Sequence, residues 1–150
     1  MKRIILLAFL CTTTLVMAQR INHVQEAIAN YDYEAALTLI AKEKPTIPLL
    51  LQKGKAQRGL GMNTEALSTY QEIIANDTAN TRAYIEAAEC CRSLAKYQQA
   101  LKYYEQALDL NPENKYVRIQ YIGLLLSLQK FQDALGESLS LIHISEPTRP

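Results

Sequence analysis

Residues 81–114 read TRAYIEAAECCRSLAKYQQALKYYEQALDLNPEN. This stretch contains two apolar stripes with the i, i+3, i+4 and i+7 spacing that is typical of one face of a helix. The first comprises Tyr84, Ala87, Ala88, Cys91 and Leu94, and the second comprises Tyr97, Ala100, Leu101, Tyr104, Ala107 and Leu108. Asn111-Pro112 ends the second stripe, because the residue before a proline is disfavoured in helical geometry. The stretch therefore predicts two helices joined by a turn.

The same pattern recurs at a fixed interval along the chain. The pair Ala-Leu occurs at residues 66–67, 100–101 and 134–135, and a leucine precedes each pair at the same distance, at 60, 94 and 128. A fixed period of about 34 residues is typical of arrays of helical hairpins, in which each hairpin buries its apolar face against its neighbours. We therefore expect an all-α fold whose function depends on its surface.

These columns resemble the tetratricopeptide repeat family, which has aromatic, small and proline residues at fixed places. The copy at 81–114 fits best, the copy at 47–80 has Leu50 where the pattern has an aromatic residue, and the copy from Lys115 is incomplete. The resemblance implies a right-handed superhelical stack of antiparallel helix-turn-helix repeats, about 3.5 to 4 in number. The residues expected to pack the repeats together are Gly54, Ala66, Tyr70, Tyr84, Ala88, Ala100, Tyr104, Ala107, Pro112 and Ala134.

One degenerate repeat precedes these copies, at about residues 20–46, with Tyr33, Ala36 and Leu37 in the right relation. Its Ala-Leu pair, at 36–37, lies closer to the next pair, at 66–67, than the period requires, so either its hairpin is short or its connector is trimmed. The predicted repeat domain thus spans residues 19–138, with repeats at about 20–46, 47–80, 81–114 and 115–138, the last one truncated.

Residues 1–18, MKRIILLAFLCTTTLVMA, have the features of a secretory signal peptide. A basic start precedes an apolar run, and Val16 and Ala18 place small residues at −3 and −1 of a cut before Gln19. An uncleaved membrane anchor is the alternative, but the stretch is shorter than a spanning helix requires. A lipoprotein site at Cys11 is disfavoured because no small residue precedes it. We expect an exported, periplasmic or envelope protein without membrane insertion after cleavage.

The other end of the chain has a different character. Residues 139–149, LSLIHISEPTR, match the in-frame translation of a sequencing transposase adapter, so we interpret 139–150 as a non-native tail and expect the natural protein to continue beyond residue 138. A natural tail with an apolar run is the alternative. The last hairpin would then lack its polar cap, which predicts poor coverage of Leu124, Leu125 and Leu128 and self-association through this end.

The composition and motifs of the sequence give little support for a catalytic function. The chain carries 16 basic and 15 acidic residues, and setting aside the two end segments keeps the charge near zero, so nucleic-acid binding has no support. Only His23 and His143 could supply an imidazole, and no glycine-rich phosphate loop or metal-ligand spacing occurs. Adjacent Cys90 and Cys91 point about 100° apart on a helix, so we expect a core Cys91 and a half-buried Cys90 rather than a redox pair. No enzyme activity, metal or cofactor is predicted.

The repeat resemblance further implies a concave groove lined by the first helix of each repeat. Lys at place 5 with Asn at place 9, which the carboxylate-clamp members use to grip acidic tails, occurs in no copy. The groove is instead basic at one end and apolar at the other, which suits a peptide with some acidic residues; solvated helix faces are the alternative. The candidate partner-binding residues are Lys55, Arg58, Arg82, Ile85, Glu89, Arg92, Tyr116 and Ile119.

Three functions are compatible with these features. The leading prediction is a non-catalytic scaffold or assembly module of the bacterial envelope that binds a protein partner. The alternatives are the extracytoplasmic sensor part of a longer membrane regulator, and a repeat domain appended to an envelope enzyme. The full-length gene would separate them, since an apolar segment of about 20 residues would favour the second and a catalytic motif the third.

Overall fold

A computed structural model describes residues 21–145, and all of its regular structure is helical in that range. The predicted signal peptide and its predicted cleavage site lie outside the described residues, as does the end of the tail after residue 145. The eight described helices are α1 (21–29), α2 (Tyr33–Ile40), α3 (Ile47–Gly59), α4 (Asn63–Asn76), α5 (Thr81–Ser93), α6 (Tyr97–Leu110), α7 (Lys115–Ser127) and α8 (Phe131–Ser145). The predicted fold class, an all-α array of about four helix-turn-helix repeats, is confirmed.

The chain divides into two compact units, residues 1–62 and 63–150. In the described part of the first unit, one apolar cluster joins α1, α2 and α3 through Val24, Ile28, Ala36, Ile40, Leu49 and Ala56. Gly59, the last residue of α3, leaves room for the ring of Tyr33, which a Cβ atom there would overlap. The hairpin of this unit is short in its second helix, because α2 has 8 residues where α4 and α6 have 14.

In the second unit, each helix packs against the next one along the chain, from α4 to α8. The small residues Ala66, Ala100 and Ala134 are buried in their helices, and so are the large rings of Tyr70 and Tyr104. A tilted ring contact between Tyr84 and Tyr103, with centroids 6.3 Å apart, joins α5 to α6. The apolar columns of the sequence therefore form the core of this unit.

The turns inside the hairpins share one backbone geometry. Tyr31, Gly61, Ala95 and Gln129 have φ angles of 61°, 76°, 57° and 60°. At the third of them, Ala95 N–H donates to Arg92 O at 3.1 Å and Lys96 N–H donates to Cys91 O at 2.8 Å. This is the Schellman pattern, which satisfies the last free carbonyls of a helix. We call these four the left-handed turns; three of their residues are not glycine and so carry backbone strain.

Helices α5 and α7, which follow turns between repeats, begin with a recurring side-chain cap. The side-chain oxygens of Asn80 and Asn114 accept hydrogen bonds from the backbone N–H groups of Ala83 and Val117, both at 3.1 Å. Asp32 caps α2 in the same way. Each cap satisfies one N–H group that the helix itself leaves free. The repeat period therefore sets both ends of these helices as well as their packing faces.

Two sequence-based expectations about burial are wrong. Cys90 is fully buried, as is Cys91, because α5 packs against both α4 and α6 and so buries two adjacent stripes of side chains. Leu124 and Leu125 are also buried, although poor coverage was expected, because α8 continues as a regular helix to Ser145 and packs against α7. Leu128 is half-buried.

Candidate partner-binding surface

The predicted groove residues are exposed or half-buried, except for Glu89, whereas nearly all of the predicted packing residues are buried. All of the predicted packing residues except Pro112 are buried. Pro112 lies in the exposed turn after α6, where its carbonyl accepts a hydrogen bond from Arg118 Nη2 at 2.7 Å. Of the groove candidates in the first unit, both on α3, Lys55 is exposed and Arg58 is half-buried.

In the second unit, the groove candidates belong to α5 and α7, which one side-chain hydrogen bond links. Arg92 Nη1 on α5 donates to Gln120 Oε1 on α7 at 3.3 Å, so long side chains of the two helices meet at this point. We define the α5–α7 surface by Arg82, Ile85, Glu89 and Arg92 of α5 and by Tyr116, Ile119, Gln120, Gly123 and Leu126 of α7. Six of the eight predicted groove residues belong to these two helices, and the hydrogen bond from Arg92 to Gln120 links them.

The α7 part of this surface is an exposed apolar stripe. Tyr116, Ile119 and Leu126 are 56%, 53% and 49% exposed, and their spacing puts them on one face of the helix. Gly123 lies between Ile119 and Leu126, and a Cβ atom there would meet nothing within 4 Å. The stripe therefore offers three large apolar contacts with a gap between two of them.

The α5 part contains a buried carboxylate that holds an arginine. Glu89 is buried, and its Oε2 accepts a hydrogen bond from Arg92 Nη2 at 2.6 Å while its Oε1 accepts one from the Tyr104 hydroxyl at 2.6 Å. Glu89 is therefore engaged within the protein on both oxygens. Arg92 has a half-exposed side chain, and its second terminal nitrogen makes only the longer bond to Gln120.

The protonation of this network follows from burial and charge. Burial lowers the pKa of Arg92, but the negative charge of Glu89 and its hydrogen bond outweigh that effect and raise the pKa overall. For Tyr104, burial and then the hydrogen bond to Glu89 raise the pKa far above its ordinary value. Tyr104 thus remains a neutral hydrogen-bond donor and Arg92 a cation at neutral pH.

A cavity of about 400 Å³ adjoins the network. Its lining includes Arg92 and Gln120, together with Tyr97, Ser127 and Leu128. It combines one cation, an amide and a phenol with leucine side chains, and such a mixture of polar and apolar groups is typical of ligand-binding pockets. Within residues 21–145 no group of three metal-ligating side chains occurs.

Sequence reasoning missed two charged contacts. It placed Glu89 in the groove but did not anticipate its hydrogen bond to Tyr104 on the next helix. It also left out Arg118, which is buried and forms an ion pair with Glu137 of α8. Arg118 lies one repeat period after Tyr84, at a position that a packing ring occupies in the preceding repeat. A charged residue at such a position was the signal in the sequence for the ion pair between Arg118 and Glu137.

Comparison with known proteins agrees with the helical-repeat fold. Residues 92–137, from the end of α5 into α8, match the tetratricopeptide repeat family. The fold is the tetratricopeptide repeat fold. Among solved structures, MamA 41-end from Desulfovibrio magneticus RS-1 is similar, with 16% identity, a TM-score of 0.77, and coverage of 86% of this chain and 76% of that one.

A second solved structure extends the similarity. A tetratricopeptide repeat protein from Parabacteroides merdae ATCC 43184 is 22% identical with a TM-score of 0.78, and the alignment covers 87% of this chain and 54% of that one. The comparison with curated protein sequences finds no match. At these identities the similarity establishes the tetratricopeptide repeat fold.

Proposed function

We propose that this chain is a non-catalytic module that binds a protein partner on the α5–α7 surface. The observation that carries the proposal is the position of Arg92, which its hydrogen bond to the buried Glu89 fixes. The exposed apolar stripe of Tyr116, Ile119 and Leu126 lies on the helix that Arg92 contacts through Gln120. An isolated exposed apolar residue needs no explanation, but three on one helix face next to a fixed cation suit recognition of a peptide.

The chemistry of the surface defines the partner. Arg92 can exchange its 3.3 Å bond to Gln120 for a shorter charge-assisted bond to a carboxylate. Arg82 is exposed on the same helix and adds a second positive charge. The partner is therefore a segment with at least one Asp or Glu next to apolar side chains, and the apolar side chains lie along α7.

We place this function outside the cytoplasm, in the periplasm or at the cell envelope. The basis is the sequence of residues 1–18, with its basic start, apolar run and small residues before Gln19. In the part of the chain that the structure describes, no helix has the length and apolar character of a membrane span. The proposed partner is therefore another exported protein or the exported part of a membrane protein.

A peptide selection tests the proposed function. A random peptide library is displayed and selected on the purified full chain, and the peptides recovered should be enriched in acidic and apolar residues. Their binding should weaken about tenfold or more for Arg92→Gln, since a hydrogen bond to a charged group contributes about 1.5–3 kcal/mol. Ile119→Asp should weaken it as well, by placing a charge in the apolar stripe.

The control variant is Lys102→Ala, which changes an exposed cation on α6 outside the surface. It should bind the selected peptides as the unchanged chain does. Two results would disprove the proposed site. One is the recovery of peptides without acidic residues, and the other is binding of the peptides to Arg92→Gln and Ile119→Asp that is as strong as to the unchanged chain.

A further inference from the structure

The first hairpin differs from the next two in the length of its second helix. Helix α2, from Tyr33 to Ile40, has 8 residues, whereas α4 and α6 have 14 each. Residues 41–46 connect it to α3 without forming a helix. The first unit therefore lacks more than one turn of helix at the place where α2 would continue along α3.

A cavity lies at this place. It has a volume of about 370 Å³, and its lining comes from the end of α2, the connector and one face of α3. The apolar part of the lining includes Leu37, Ile40, Leu49 and Leu50. Leu50 stands one repeat period before Tyr84, so a leucine replaces a tyrosine ring in this column. The shorter helix and the smaller side chain both leave space, and we call it the α2–α3 cavity.

Two cations border the α2–α3 cavity. Lys44 of the connector and Lys53 of α3 are among its lining residues. Among residues 21–145, neither lysine forms an ion pair. Glu43 and Gln57 also line the cavity, and both have other interactions. The cavity thus combines an apolar interior with two positive charges that are available to an anion.

We propose that the α2–α3 cavity binds a small amphipathic carboxylate, with its alkyl body in the cavity and its carboxylate next to Lys44 and Lys53. Its volume is near the lower end of the range for ligand pockets, which favours one small molecule over a larger ligand. Lysine binds such a head group as a flexible point charge. This site lies in the first unit and is independent of the proposed partner surface on α5 and α7.

Titration of the full chain with octanoate, below its micelle concentration, tests the proposal. Calorimetry should give one site per chain, and backbone NMR shifts should change at residues 37–57. Octan-1-ol, which lacks the charge, should bind more weakly. Lys53→Gln and Lys44→Gln should each weaken octanoate binding by up to about fivefold, as expected for a partly exposed charge pair. Lys102→Gln, on α6, should leave it unchanged.

A second variant tests the apolar interior. Leu50→Phe places a ring in the column where Tyr84 stands and should reduce octanoate binding at least tenfold while the melting temperature is kept or raised. If this variant does not fold, the two lysine variants still show whether octanoate binds in the α2–α3 cavity. Equal binding of octanoate and octan-1-ol, an equal effect of Lys102→Gln, or shift changes confined to residues outside 37–57 would overturn the proposal.

Discussion

The hydroxyl of Tyr104 donates a 2.6 Å hydrogen bond to Glu89, and both residues are buried. Tyr104 comes from the packing column of α6, and Glu89 from the column of α5 that the sequence predicted to face a partner. The second oxygen of the same carboxylate accepts the hydrogen bond from Arg92. A core residue therefore fixes the position of the cation that we assign to partner binding.

The packing columns should dominate stability. Tyr104→Ala removes a fully buried ring and should lower the free energy of unfolding by about 3 kcal/mol or more. Ala100→Leu should overpack a fully buried site and cost about 1–3 kcal/mol. Lys102→Ala, exposed on the same helix, should change it by less than about 0.5 kcal/mol. Urea denaturation measures all three, and equal unfolding midpoints would contradict the assigned core.

Stability should fall at alkaline pH. Burial and the hydrogen bond to Glu89 raise the pKa of Tyr104, and burial and the hydrogen bond to Glu105 raise that of Tyr121. In the unfolded chain these groups lose their protons near pH 10. The contribution of these two hydroxyl groups to the free energy of unfolding is therefore complete below about pH 10, and it is lost as the pH rises towards their folded-state pKa values.

Urea midpoints measured between pH 8 and 11 test this dependence. The variant carrying both Tyr104→Phe and Tyr121→Phe should lose less stability over that range than the unchanged chain, although it is less stable at pH 8. Tyr31→Phe, at an exposed tyrosine, should keep the original slope. Identical slopes for all three proteins would mean that the two buried phenols do not control the alkaline transition.

Two left-handed turns should respond to mutation in opposite directions. Ala95 has a φ of 57°, which is unfavourable for a residue with a Cβ atom, so Ala95→Gly should raise the free energy of unfolding by up to about 1 kcal/mol. Gly61→Ala should lower it by about 1 kcal/mol through the backbone alone, because a Cβ atom there meets nothing within 4 Å. Thermal unfolding measures both, and changes of the same sign would count against the shared turn geometry.

Export should remove residues 1–18. Expressed in a bacterium, the protein should reach the periplasm and begin at Gln19, because Val16 and Ala18 supply the small residues that signal peptidase requires. N-terminal sequencing of the periplasmic fraction checks this. An exported product that still begins with Met1 would argue for the membrane-anchor alternative.

The outer face of α8 should drive self-association. Leu67 on α4 and Leu101 on α6 are only 5% and 4% exposed, because α5 packs against α4 and α7 packs against α6. Leu135 on α8, in the same repeat column, is 57% exposed. Phe131, Leu139 and Ile142 extend this exposed stripe. Sedimentation should show dimers or larger species, and Leu135→Glu with Leu139→Glu should yield monomers. Monomers of the unchanged chain at high concentration would contradict this prediction.

Much of the fold was predictable because packing repeats with the period. Ala66, Ala100 and Ala134 share a column, so one buried alanine implies the others. The sequence left open whether the first hairpin or its connector is shortened, since a missing segment has no residues to interpret. The structure places the loss in α2.

The candidate site was harder to predict. Column position put Glu89 and Arg92 on one helix face, and the structure agrees. Whether Glu89 faces a partner or the core depends on Tyr104, which belongs to the following helix, and on side-chain rotamers that no period specifies. The burial of Cys90 likewise depends on a second neighbouring helix.

The asparagine caps and the left-handed turns have a consequence for how such a protein lengthens. Asn114, the last residue of 81–114, caps α7 in the same way as Asn80, the residue before this segment, caps α5. A tandem duplication of this segment in the gene would place the new copy directly behind an asparagine, with its own turn at Ala95 and its own packing columns. Unequal crossing-over at these points would thus add a whole foldable hairpin without requiring any compensating mutation at the junctions.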